Sequence, residues 1–205
     1  MKGEAMPVYH FTDTLRLPWI IHSGQLRPGR NKLGGYTSPE FVWASTDPRD
    51  DRSASITRGE PYRDGRVRHI RFTLPQDRFI PWREVPMRYP SWTSDQVARL
   101  EHSGKALQTS PDNWWCRAGT LSLEDVISID WRSYRCNQWK PLPGKGQLYT
   151  DLWPMLVYRV EQHCFASEPV DGPRGEQGYA IPKVDMLYRT TEKQPMARTT
   201  AITLC

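Results

Sequence analysis

The chain has no apolar run near the ~20 residues that would span a bilayer, and residues 1–10, MKGEAMPVYH, have no signal-peptide apolar region. These absences predict a cytoplasmic protein that does not enter a membrane. No C-x-x-C pair joins its four cysteines, Cys116, Cys136, Cys164 and Cys205. A disulfide framework is not expected, and no metal site is predicted. His163 and Cys164 are adjacent, but neighbours on a strand point to opposite faces and do not share an ion. Neither G-x-G-x-x-G nor a P-loop occurs, so both standard phosphate cradles are missing. No internal repeat is present.

Hydrophobic residues make up only 38% of the 205 residues, and mean hydropathy is -0.70. A core is still within reach, because nine Trp and nine Tyr each bury a large area. Eighteen Pro argue for loops and against a helical bundle. The net charge of +5 suits an anionic ligand without specifying one. Seven arginines fall within 49–71, interleaved with Asp50, Asp51, Glu60 and Asp64. That stretch reads as a solvated, self-neutralising loop; a phosphate-contacting loop is the alternative.

Residues 8–11 read as a short strand. A helix is expected over 15–23, with Pro18 in its first turn and Gly24 as its stop. Strands are expected at 41–46, 66–74, 114–118 and 126–131, and a short extended piece at 79–82 where Pro81 suits a sheet edge. In 66–74, Ile70, Phe72 and Leu74 make one face, Arg71 and Thr73 the other. A short helix is expected near 53–56. Thr93 to Gln96 matches a capping box, opening a helix over 95–102 that ends near Gly104. Ser122 to Asp125 resembles a second. In 126–131, Ile127 and Ile129 are expected on one face. Short strands without long alternating helices predict an α+β fold with a strongly bent, mainly antiparallel sheet and a few short helices. Residues 1–136 read as the domain. Residues 137–205 read as a partly ordered C-terminal extension, with a strand or short helix within 152–160.

Three blocks carry a family resemblance: Val8-Tyr9-His10-Phe11-Thr12 with Leu17-Pro18-Trp19-Ile20-Ile21 and Gly24 to Pro28; Val42-Trp43-Ala44-Ser45-Thr46; and Trp114 to Gly119 with Leu121 to Ile127. Together they resemble the ADP-ribosyltransferase-like superfamily, nearest the DarT-like DNA ADP-ribosyltransferases and related phage and bacterial proteins. The likeness spans roughly residues 7–132.

The resemblance implies NAD as co-substrate, held in a cleft between two small sheets. It implies that His10 holds the nicotinamide-side ribose, that Phe11 and Thr12 frame the nicotinamide, and that Trp43 or Tyr36 supplies a stacking ring. Ser45 and Thr46 would bond a ribose or phosphate. A carboxylate should stabilise the developing ribosyl cation. The family pattern puts a glutamate near the start of the strand at Trp114, where this chain has Asp112; Glu124 is the other candidate. The expected function is ADP-ribose transfer to DNA, RNA or a protein acceptor. The alternative is a non-catalytic nucleotide-binding or partner-blocking protein, of the phage anti-defence type, on the same fold. Beside the resemblance, each residue has a plainer reading. His10 is then a polar strand end, Trp43 core packing, Ser45, Thr46 and Glu124 caps.

Overall fold

A computed structural model describes residues 6–14, 16–29 and 38–142, and the backbone strands 145–148, 156–159, 168–171, 177–181 and 184–189. The fold is α+β, with a mainly antiparallel sheet and few short helices. In chain order the elements are β1 (Val8–Asp13), α1 (Leu17–Ser23), β2 (Gln25–Leu26), β3 (Phe41–Ser45), α2 (Glu60–Arg63), β4 (His69–Leu74), β5 (Ile80–Pro81), α3 (Val85–Arg88), α4 (Ser94–Ala106), β6 (Trp114–Ala118), β7 (Leu121–Ser122), β8 (Ser128–Arg132) and β9 (Lys140–Pro141). Then follow β10 (Lys145–Leu148), β11 (Leu156–Arg159), β12 (Glu168–Asp171), β13 (Gln177–Ile181) and β14 (Val184–Arg189).

Strand pairing runs β5-β6-β3-β1-β4-β8-β9, with β1–β3, β3–β6, β5–β6 and β8–β9 antiparallel. Both outermost strands are two residues long and each contains a proline, Pro81 or Pro141, which brings no N–H to the ladder. Strands β10 to β14 pair in a second sheet ordered β10-β11-β14-β13-β12. No helix among the described residues is long and apolar enough to cross a membrane.

The chain divides into two compact units. One comprises Met1–Phe11, Leu26–Ser55 and Arg71–Ser128; the other comprises Thr12–Gln25, Ile56–Ile70 and Ile129–Cys205. In the first, Phe41, Trp82, Val85, Trp92, Trp114 and Cys116 form a buried cluster, with Trp43, Tyr89, Val97 and Leu100 packed against it. Removing a tryptophan from water releases roughly 4–6 kcal/mol of gross transfer energy. That is how a chain so poor in aliphatics builds a core. Helix α4 serves this cluster. Thr93 opens it with a reciprocal capping box to Gln96. Its polar exterior rests on Val97, Leu100 and Gly104.

Gly104 does not end the helix, as its residue type suggests. It lies inside α4, where the Trp114 indole passes so close that a Cβ would sit 2.4 Å from Cη2 and Cζ2. The helix runs on to Ala106. Gly24 does act as a stop, in the left-handed region at φ 66°. Residues 53–56 form no helix; the turn of helix in that stretch is α2, with Pro61 in its first turn. Ile127 is exposed and precedes β8, with its N–H donating to the Thr73 carbonyl (2.9 Å), while Ile129 and Trp131 are buried.

In the second unit, Leu17, Ile21, Tyr62, Val67, Ile70, Ile129 and Trp131 are buried, and so are the polar residues Asp13, His69 and Arg132.

Candidate functional site

Strand β1 carries the residues singled out by the opening motif, and alternation sorts them. His10 and Thr12 share one face; Tyr9 and Phe11 share the other. Tyr9 pairs with Ser45 on β3, and residues paired across an antiparallel ladder point the same way. Ser45 and Trp43 therefore lie on the Tyr9 face. On the far side of β3, Trp43 pairs with Cys116 and Ser45 with Trp114, which continues that face into the aromatic cluster. The Trp43 side chain thus projects from the sheet face opposite to that of His10. The two are not brought together around one ligand by their side chains.

What joins them is the backbone. His10 Nδ1 lies 2.7 Å from the Trp43 carbonyl oxygen. A carbonyl only accepts, so Nδ1 is the protonated nitrogen, and in the neutral ring Nε2 carries the lone pair. The imidazole is half-buried and inclined to the buried Phe72 ring, with centroids 6.2 Å apart. Thr12 is only 2% exposed, and its Oγ1 has no hydrogen-bond partner. A buried hydroxyl left unpaired costs about 1–3 kcal/mol.

The remaining expected residues have local duties. Phe11 is buried. Trp43 is wedged among Phe41, Trp82, Trp92 and Trp114, with centroids 5.3–6.3 Å away. Ser45 Oγ accepts the Asp47 N–H at 3.2 Å. Thr46 is bound twice to Asn113, through its N–H to the carbonyl (2.9 Å) and its hydroxyl to Oδ1 (3.1 Å). Tyr36 lies outside the described residues. Asp112 is exposed in a 3-10 turn and bonded to the cap Ser110, whose hydroxyl reaches Oδ2 at 3.3 Å. Glu124 is exposed in a second such turn, its N–H taken by Ser122 Oγ.

Within the arginine-rich stretch, several cations meet internal acceptors. Arg49 pairs with Asp47 at 3.4 Å and Arg66 with Asp64 at 2.6 Å, while Arg71 bonds the Pro48 carbonyl and lies over the Tyr9 ring. Of these three, Arg49 and Arg66 are ion-paired, and Arg71 meets a neutral carbonyl. Among the described residues no group of three or more His, Cys, Asp or Glu is placed to hold a metal ion.

A polar constellation in the second unit was not singled out from the sequence. Asp13, fully buried, accepts from Thr57 N–H (2.9 Å), Thr57 Oγ1 (3.0 Å) and the Arg16 guanidinium (2.6 Å). His69 lies between the Thr57 carbonyl at Nε2 (2.8 Å) and the Arg132 guanidinium at Nδ1 (3.2 Å). The sequence carries no signal for it: Asp13 lies beyond the expected strand 8–11, and His69 alternates with Arg71 and Thr73 on the expected polar face of 66–74.

The fold defines the class as α+β with a mainly antiparallel sheet. Beyond that class, comparison with family models, with curated proteins and with solved structures finds no match to this chain.

Proposed function

We propose that this is a cytoplasmic protein of the ADP-ribosyltransferase fold, which binds NAD along the His10 face of β1 and transfers ADP-ribose to a macromolecule, nucleic acid or protein. The observation that carries the reading is the 2.7 Å contact between His10 Nδ1 and the Trp43 carbonyl. It fixes the ring beside the β3 backbone, with the proton on Nδ1. In the reaction the bond between C1′ of the ribose and the nicotinamide nitrogen breaks. Nicotinamide leaves with the bonding pair, the acceptor attacks C1′, and the acceptor's proton passes to solvent. A cationic leaving group needs little acid help, so orientation and a nearby negative charge do most of the work.

A second reading is favoured by one specific observation. Asp112 and Glu124, the two candidate carboxylates, are both exposed; the Asp112 carboxylate accepts from the Ser110 hydroxyl, and Glu124 stands in a turn where its N–H meets Ser122 Oγ. In water-like dielectric a charge at 4 Å contributes only about 1 kcal/mol. That favours nucleotide binding without transfer. Adenine-labelled NAD incubated with the protein and DNA, RNA or lysate separates the two. Label on a macromolecule that His10→Ala abolishes supports transfer. Calorimetric NAD binding with no label transfer and no released nicotinamide supports the non-catalytic protein. No NAD or ADP-ribose binding sinks both.

A further inference from the structure

We propose that the buried contact between His69 and Arg132 is an acid-sensitive latch on the hairpin joining β8 to β9: a proton taken up by His69 expels the Arg132 guanidinium, which releases Trp139 and loosens the hairpin. The inference stands without the transfer reading and needs no ligand.

His69 opens β4 and is 1% exposed. Several elements surround it. From β8, the buried Arg132 brings its guanidinium to Nδ1. From the segment before α2, the Thr57 carbonyl meets Nε2. From α2, the Tyr62 ring lies flat against the imidazole. From β1, Asp13 stands one residue removed: it accepts from the Thr57 N–H and hydroxyl, and it already holds the Arg16 guanidinium. Asp130 lies two residues before Arg132 on the same side of β8, and Arg71 two residues after His69 on the same side of β4. Arg132 also lies over the Trp139 ring, 4.6 Å from its centroid. Trp139 leads into β9, which is only two residues long and pairs with Asp130 and Trp131. On the other flank, Tyr134 rests edge-on against Tyr62, with centroids 5.6 Å apart.

A guanidinium only donates, so Nδ1 is its acceptor and the ring's single proton sits on Nε2. A second proton, taken from solvent, has to bind Nδ1. It turns that acceptor into a donor and sets two cations 3.2 Å apart in a buried place where water screens little. One of them must move. The imidazolium keeps its bond to the Thr57 carbonyl and gains from lying over the Tyr62 ring, as a cation over an aromatic face does. Arg132 loses its acceptor, so Arg132 is the group that leaves, and its brace on Trp139 goes with it. The open hairpin binds a proton that the closed one refuses, so the closed form is lost as pH falls.

The test is amide deuterium exchange of the full chain, read on peptides by mass spectrometry and corrected for the intrinsic rate at each pH. Below about pH 6.5, the ordinary value for a histidine, protection across 133–142 should fall about tenfold per pH unit, while peptides of α4 keep theirs. His69→Gln is always neutral and has an amide oxygen for Arg132, so it should remove the pH dependence. Arg132→Met keeps an unbranched apolar stem and has no charge to expel. In it the hairpin should lose its pH dependence, and nitrogen-15 NMR should show His69 taking its proton about one pH unit or more higher than in the wild type. This second variant carries the test if His69→Gln does not fold. Unchanged wild-type protection down to about pH 4.5, two units below that value, overturns the proposal. So does an acid response that persists in the folded variant, or one that α4 shares, which would be general acid unfolding. NAD is absent throughout, so the labelled-NAD experiment judges the transfer reading separately.

Discussion

The His69 imidazole lies face to face on the Tyr62 ring, with centroids 3.6 Å apart and 7° between the planes. Its two nitrogens have opposite roles. The Arg132 guanidinium only donates, so Nδ1 accepts, and the proton sits on Nε2, which donates to the Thr57 carbonyl. Nitrogen-15 NMR should therefore find His69 neutral with the proton on Nε2. His69→Phe would keep the stack but leave a buried carbonyl and a guanidinium N–H short of a partner. The expected loss is about 2–3 kcal/mol of unfolding free energy, read from urea midpoints. A midpoint equal to wild type would show that the two hydrogen bonds contribute nothing net.

Gly104→Ala should destabilise, against the usual direction. In an exposed helix interior the exchange gains up to about 1 kcal/mol. Here the new Cβ would meet the Trp114 ring at 2.4 Å, and that ring is itself buried in the aromatic cluster. Overpacking of this kind costs about 1–3 kcal/mol. Ala98→Gly, at an exposed position of the same helix, gives the ordinary propensity effect for comparison. Thermal melts of the two variants should both fall; a higher melting temperature for Gly104→Ala would contradict the packing.

Thr12→Val separates stability from binding. The hydroxyl it removes is buried and unpartnered, so its loss should leave stability unchanged or raise it by up to about 1–3 kcal/mol. If that hydroxyl bonds a nucleotide, NAD affinity should fall about tenfold in the same variant, the weight of one hydrogen bond. Calorimetry and denaturation on one preparation give both numbers. Lower stability with unchanged NAD binding would assign Thr12 to the core alone.

Cys116 should resist alkylation in the folded protein. Burial pushes its thiol well above the ordinary 9.0, so almost no thiolate forms near neutral pH. Half-buried Cys136 should react with iodoacetamide before Cys116 does, as peptide mass spectrometry would show. The same shift has a sign in pH. Above about pH 9 the unfolded thiol has lost its proton while the folded one retains it, so the unfolded state binds fewer protons and stability falls as pH rises. Cys116→Ala should remove that part of the alkaline decline; an identical decline in the variant would deny it.

Much of this architecture is legible in local sequence. The strand Trp114–Ala118, the capping box at Thr93, the stop at Gly24 and the placing of Pro81 on a sheet edge all follow from nearby residues. What was not legible depends on partners far along the chain. Gly104 resembles a helix terminator until the Trp114 indole is seen against it. His10 and Trp43 resemble two walls of one site, but which face each takes is decided by the pairing of Tyr9 with Ser45, across more than thirty residues. The buried set of Asp13, His69 and Arg132 draws on three separated segments, and no spacing rule connects them.

The two-residue outer strands bear on how the molecule behaves in a crowded solution. A second copy seeking to extend the sheet from Ile80–Pro81 or Lys140–Pro141 would find a ledge too short to grip, with at most one amide hydrogen on it. Edge-to-edge growth, the common first step of β-rich chains toward fibrils, has no template at either rim of that sheet. At millimolar concentration this sheet should add no strands from its neighbours, and a chain carrying so many aromatic rings gains from that restraint.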